Sequence, residues 1–61
     1  MLRLAKIVNA LEMAKRKIKH ILINLEAAER ENGEDYSDEK YELNEELYDI
    51  DEALYILKEY E

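Results

Sequence analysis

Several residue types that stabilise or interrupt small folds are missing from this 61-residue chain. Without cysteine it can form no disulfide, and its one histidine cannot make a structural metal site alone, so two common ways of stabilising a small domain are excluded. It has no proline and one glycine, so little interrupts a helix. The lack of cysteine also fits the cytoplasm, which is the location we expect.

The chain also lacks a long apolar segment. No uncharged run approaches the ~18 residues that a membrane-spanning helix needs. Arg3 and Lys6 begin a series of charges that interrupts any signal-peptide core. A basic amphipathic first helix can lie on a membrane surface, but we expect the second helix to occupy its apolar face. We therefore expect a soluble protein with no membrane partner.

In place of such a run, two segments show heptad periodicity. Apolar residues in the first segment recur at alternating steps of three and four, the a and d pattern of packed helices. These residues are Leu4, Ile7, Leu11, Ala14, Ile18, Ile21, Leu25 and Ala28. The second segment repeats the pattern at Leu43, Leu47, Ile50, Leu54 and Leu57. The sequence thus predicts an all-α protein with helices over about 2–32 and 37–60.

A turn over residues 33–36 separates the two predicted helices. Gly33 can take the left-handed conformation that ends a helix, and Ser37 is a suitable N-cap for the second one. Folding the chain here gives an antiparallel helical hairpin in which paired residue numbers add up to 68. The five apolar layers are Leu25 with Leu43, Ile21 with Leu47, Ile18 with Ile50, Ala14 with Leu54, and Leu11 with Leu57.

A two-helix hairpin covers only part of each apolar stripe. The apolar residues that extend beyond the seam are Val8, Ala10, Leu22, Ile23, Ala53, Ile56 and Tyr60. Exposed apolar surface of this kind commonly marks an interface. We therefore expect a homodimer that forms a two-fold symmetric four-helix bundle, with docking onto a larger protein as the alternative.

Charge is divided unevenly along the chain, whose net charge is −7. Residues 1–32 carry seven Lys or Arg and four Glu, whereas residues 33–61 carry two Lys and twelve Asp or Glu. A basic helix is therefore joined to a strongly acidic one. Such a chain can attract itself, within the hairpin or between copies.

A basic cluster on the first helix contains Lys15, Arg16, Lys19 and His20. We expect Lys15 to face Asp51 across the seam and the other three side chains to point away from the seam. Such a face is either simply solvated or follows the phosphate backbone of a nucleic acid.

In length, heptad pattern and turn position, the whole chain resembles the ROP family of plasmid-encoded RNA-binding proteins. That resemblance implies a dimeric four-helix bundle that binds paired RNA loops through its first helices. The basic cluster would then be the surface that contacts RNA, and an RNA-binding regulator is one alternative function.

Three tyrosines follow one another at seven-residue intervals on the second helix: Tyr41, Tyr48 and Tyr55. By helical geometry they lie about 130° from the centre of the seam, so the core does not need them. Tyrosine is enriched at interfaces because it buries a ring and keeps its hydroxyl hydrated. With the carboxylates Glu45, Asp49 and Glu52, these tyrosines form a candidate protein-binding face.

The preferred hypothesis is a small non-enzymatic regulatory protein that dimerises and binds a protein partner through that face. Regularly spaced carboxylates can also imitate nucleic-acid phosphates, so an acidic inhibitor from a phage or another mobile element is a further alternative. We expect no catalytic residue, metal or cofactor. Ser37 has no adjacent base, and a two-helix surface offers no pocket that would shift the pKa of a carboxyl.

Overall fold

A computed structural model describes residues 3–60 as two α-helices joined by a short turn. Helix α1 spans Leu4–Asn32, and helix α2 spans Ser37–Lys58. The two helices pack against each other, and the hairpin has principal extents of 49 × 15 × 13 Å. The predicted all-α helical hairpin is confirmed. Within residues 3–60, neither helix is long and apolar enough to cross a membrane.

The two helices are slightly shorter than predicted. Arg3 has an extended backbone and precedes α1, while the predicted start at residue 2 lies outside the described residues. Helix α2 ends at Lys58, because the N–H groups of Glu59 and Tyr60 donate to carbonyls three residues back rather than four. Such tightening is common in the last turn of a helix.

Gly33 ends α1 as predicted. Its φ of 70° and ψ of 16° are left-handed, and its N–H donates to the carbonyl oxygen of Glu29 at 2.9 Å. A side chain with a Cβ would be strained in this conformation, and glycine is not.

The prediction that Ser37 is the N-cap of α2 is wrong by one residue. Tyr36 holds the cap position, and its carbonyl accepts the N–H of Lys40 at 2.9 Å. Ser37 is the first helical residue; its N–H donates to Asp35 Oδ1 at 3.0 Å, and its hydroxyl donates to the same oxygen. These two bonds lower the pKa of the Asp35 carboxyl. The carboxylate of Asp35, two residues earlier, therefore accepts the N–H of the first helical residue.

Glu29 ties the turn to both helices. Its Oε2 accepts the N–H of Tyr36 at 2.9 Å, and its Oε1 lies 2.7 Å from Lys40 Nζ. The bond from Lys40, and then the bond from Tyr36, hold the pKa of the Glu29 carboxyl below its ordinary value. The same carboxylate raises the pKa of Lys40. Lys40 lies seven residues before Leu47, at the heptad position where α2 would contribute to a sixth apolar layer. The ion pair with Glu29 therefore occupies the place of that layer.

The seam encloses few of its apolar side chains completely. Among the described residues, Leu54 alone is buried, with 6% of its surface exposed. The half-buried members of the predicted layers are Leu11, Ala14, Ile18, Leu25, Leu43, Leu47, Ile50 and Leu57.

Ile21 departs from the predicted core, because 46% of its surface is exposed. The next residue, Leu22, is half-buried, as are Val8, Lys15 and Glu29 at the same heptad position e. Helix α1 is therefore rotated so that its e positions turn further toward α2 than the a and d pattern predicts. The rotation leaves Ile21 at the open flank of the seam.

We expect Leu54→Ala to lower the free energy of unfolding by about 2–4 kcal/mol, because it opens a cavity at the best-covered position of the seam. Urea denaturation followed by circular dichroism measures this loss. Ile56→Ala is the matched control: Ile56 is 48% exposed, so its loss should stay below about 1 kcal/mol. Equal losses for the two variants would contradict the described packing.

We expect Glu29→Gln to lower the midpoint of thermal unfolding at neutral pH, because glutamine is neutral and cannot form an ion pair with Lys40. The folded-state pKa of Glu29 is lowered, so its stabilisation is present above the unfolded value of ~4.3 and is lost as pH falls through the folded-state value. The difference between the wild-type and variant midpoints should therefore shrink toward zero on acidification. Glu31→Gln, at an exposed carboxylate two residues later, is the control. A difference that stays constant with pH would count against the ion pair.

Candidate functional site

One flank of the seam is marked by an ion pair between the two helices. Lys15 Nζ lies 2.6 Å from Asp51 Oδ1, which confirms that these residues face each other. Their side chains are 30% and 53% exposed, so the pair stabilises the fold by roughly 0–1 kcal/mol. Its main importance is positional, because it identifies the side chains of α1 and α2 that share this flank.

A groove lies beside the ion pair and is lined by both helices. We name it the Tyr55 groove. Its lining residues are Glu12, Lys15, Arg16, Lys19, Asp51, Leu54, Tyr55 and Lys58. Four of these side chains are cationic and two are anionic, so the groove is a region of excess positive charge on an acidic protein.

The basic cluster lies nearer to α2 than predicted. Arg16 and Lys19 do not simply point away from the seam, because both line the Tyr55 groove together with residues of α2. The rotation of α1 explains this position, since it carries the outer side chains on the Lys15 side toward α2. His20 is exposed and lies outside the groove lining, as expected.

The three spaced tyrosines are exposed on α2. The exposed fractions of Tyr41, Tyr48 and Tyr55 are 67%, 71% and 69%. Fourteen residues of helix separate the first from the last, which gives a row about 21 Å long. We name the row and the carboxylates within it the tyrosine face. Its members are Tyr41, Glu45, Tyr48, Asp49, Glu52 and Tyr55.

Shallow depressions lie between the first two tyrosines of this face. One is lined by Tyr41 and Tyr48 together with Asn44, Glu45 and Asp49. The carboxylates Glu42 and Glu46 join the lining of a second depression beside Tyr41. All the charged side chains that line these two depressions are carboxylates. This part of the surface is therefore suited to cationic groups.

The tyrosine face and the Tyr55 groove are continuous, because Tyr55 belongs to both. Considered one helix at a time, the sequence predicts the basic cluster and the tyrosines as separate surfaces. The heptad positions of these residues indicate that the two surfaces meet. Lys15 and Asp51 occupy position e, and Lys19 and Tyr55 occupy position b. Position b adjoins position e on the same flank of an antiparallel helix pair.

The ionisable groups at the turn are held in hydrogen bonds and an ion pair. The hydroxyl of Tyr36 donates to Glu34 Oε2 at 2.8 Å, and this bond raises the pKa of the tyrosine. Glu29, Asp35 and Lys40 are likewise engaged in the bonds that shape the turn. Within residues 3–60, no three His, Asp or Glu side chains converge in a way that could hold a metal ion.

Comparison with known proteins returns no match from family models, curated proteins or solved structures. The resemblance to the ROP family therefore rests on the hairpin architecture alone.

Proposed function

We propose that this chain is a small non-enzymatic interaction protein that works as a homodimer and binds a protein partner through the tyrosine face. The observation that carries the proposal is the exposure of Tyr41, Tyr48 and Tyr55, each about two-thirds or more open to solvent on one line. The fold needs none of these rings for its seam. A partner would bury them.

The size of the tyrosine face supports this proposal. A tyrosine side chain buries about 150–250 Å² in a well-packed contact, so three rings account for roughly 450–750 Å². One side of a standard protein interface buries about 800 Å². The carboxylates between the rings determine which charge on a partner is attracted. Helix α2 carries eight Asp or Glu and two Lys, so a surface rich in Lys and Arg complements it.

The large solvent-accessible surface of the hairpin supports the proposed homodimer. It exposes 5196 Å². A compact monomer of this mass exposes about 4,200 Å². The excess of about 1,000 Å² is close to what one subunit contributes to a stable interface. A second copy is the occupant that would cover this excess symmetrically.

The flank of the seam opposite the Lys15–Asp51 ion pair is suited to that contact. Ile21 comes six residues after Lys15, which places it about 120° around α1, on the other side of the seam. It is 46% exposed, and the half-buried Ala53 lies on the corresponding side of α2. Association there would leave the tyrosine face free for the partner.

We expect loss of the three tyrosines to abolish partner binding without unfolding the hairpin. The defined probe is a fluorescent amphipathic helical peptide with lysines on its polar face, and anisotropy measures its binding. Changing Tyr41, Tyr48 and Tyr55 together to Ser should weaken binding by about tenfold or more, because exposed rings become the buried anchors of the complex.

The control for this experiment is Tyr60→Ser. Tyr60 is 72% exposed, as open as the other three, but it lies outside the tyrosine face. Its replacement should leave the affinity within about twofold of the wild type. Equal effects of Tyr60→Ser and the triple change would show that the tyrosine face is not the binding surface.

We expect the wild-type chain to sediment as a dimer and Ile21→Glu to sediment as a monomer, because a carboxylate would be buried at the proposed interface. Ala10→Glu, at an exposed residue on the same flank but outside the seam, is a second variant that should also sediment as a monomer. The matched control is Ile23→Glu: Ile23 is 61% exposed and lies two residues, or about 160°, away from Ile21 around the helix. A wild-type chain that sediments as a monomer would overturn the dimer.

A further inference from the structure

We propose that the partner segment is one amphipathic helix with divided charge, basic over Tyr41 and Tyr48 and acidic over Tyr55. This inference rests on the proposed function and extends it, because it makes the basic cluster of α1 part of the same protein-binding surface. The juxtaposition that carries it is the position of Arg16 and Lys19 beside Tyr55.

The sign of the charge changes along the row of tyrosines. Beside Tyr41 and Tyr48, the charged lining residues are all carboxylates. In the Tyr55 groove, cations outnumber carboxylates by four to two, and Glu52 of the tyrosine face lies outside the lining of that groove. The change takes place within the seven residues, or about 10 Å, that separate Tyr48 from Tyr55. A uniformly basic segment would be attracted along the first part of the row and repelled along the second, so a segment of divided charge should bind more tightly than a basic one.

The cations of the groove are available to a partner. Lys15 is engaged with Asp51 at 2.6 Å. Among the described residues, Arg16, Lys19 and Lys58 make no ion pair, and all three are exposed. Three cations around one exposed aromatic ring can receive carboxylates of a partner, with Tyr55 supplying the apolar contact.

The spacing of the face favours a helix as the partner segment. Seven residues make nearly two turns, so three rings at this interval match the heptad repeat of a helix lying alongside α2. An extended segment has unpaired backbone N–H and C=O groups that seek a strand edge. The backbone of α2 is already bonded within its own helix and provides no such edge, whereas a helical partner satisfies its own backbone.

A second copy of this chain is a competing occupant of the same surface. The acidic end of the face lies near the turn and the basic end lies away from it, so a two-fold axis near Tyr48 would bring opposite charges together. That arrangement would bury the tyrosines in a self-interface. Sedimentation distinguishes a self-interface from a partner helix. If the tyrosines form a self-interface, Tyr48→Ser breaks the dimer, whereas under our proposal Tyr48→Ser leaves the dimer intact.

The test uses two labelled helical peptides of about 18 residues with the same composition and the same apolar stripe. In the first peptide, lysines fill the polar positions of one half of its length and glutamates fill those of the other half. In the second peptide, lysines and glutamates alternate along the whole length. Anisotropy at low salt should show the divided peptide binding the wild-type dimer about tenfold more tightly. Glu45→Lys with Asp49→Lys, or Arg16→Glu with Lys19→Glu, should each remove that preference, because the net charge then no longer reverses from negative beside Tyr41 and Tyr48 to positive beside Tyr55.

Combining both pairs of reversals provides the decisive variant, because it restores a divided face with opposite polarity. The preference for the divided peptide should return, with the peptide bound in the reverse direction. A fluorophore on Asp38→Cys, the sole cysteine of that variant, reports the direction by energy transfer to a label at one peptide end. Unchanged direction would overturn the proposal.

The remaining outcomes are distinct. If Arg16→Glu with Lys19→Glu leaves binding of the divided peptide unchanged while loss of the tyrosines abolishes it, this inference is wrong and the proposed function stands. If loss of the tyrosines also has no effect, both fail. Failure of the divided peptide to bind overturns the inference. Its displacement by an RNA hairpin whose own binding needs Arg16 and Lys19 also overturns the inference, and it leaves a nucleic-acid surface instead.

Discussion

A seam between only two helices can enclose side chains only along its centre line, and the rest of this molecule follows from that constraint. Each helix is covered on one side, so Leu54 alone among the described residues is removed from water while neighbouring leucines and isoleucines stay half-open. A core of this size is marginal for a chain of 61 residues. Surface left open on both flanks is therefore a necessary product of the fold, and it is the surface available for function.

The turn compensates for the narrow core by fixing how the helices face each other. Gly33 directs the chain back, and Glu29 binds the backbone of Tyr36 and the side chain of Lys40 at once. Both contacts come from the last turn of α1, so they fix the start of α2 relative to α1 at the turn end of the seam. The Lys15–Asp51 ion pair then marks the same register further along the seam.

The sequence is sufficient to predict features that depend on one residue or one periodicity, and insufficient where two neighbours compete. Gly33 was predictable because glycine alone enters the left-handed region without strain. Ser37 was misplaced because the carboxylate of Asp35 accepts the N–H of Ser37, and the sequence does not show which of two neighbouring polar side chains will bond at the start of the helix. Ile21 was assigned to the core because heptads do not fix the rotation of a helix, and Leu22 took the covered position. The same rotation joined Lys19 to Tyr55, which counting along either helix alone does not reveal.

The joined surface links binding to folding. A partner that contacts Tyr41 on α2 and Arg16 on α1 meets both only while the hairpin is closed in this register, since unfolding separates the two helices. Binding of that kind stabilises the folded state by mass action, and the gain grows with the logarithm of ligand concentration over its dissociation constant. A partner that touched α2 alone would require less of the hairpin. In the proposed complex, the position of Arg16 and Lys19 across the seam from the tyrosine row would let binding supply part of the stability that the weakly enclosed seam lacks.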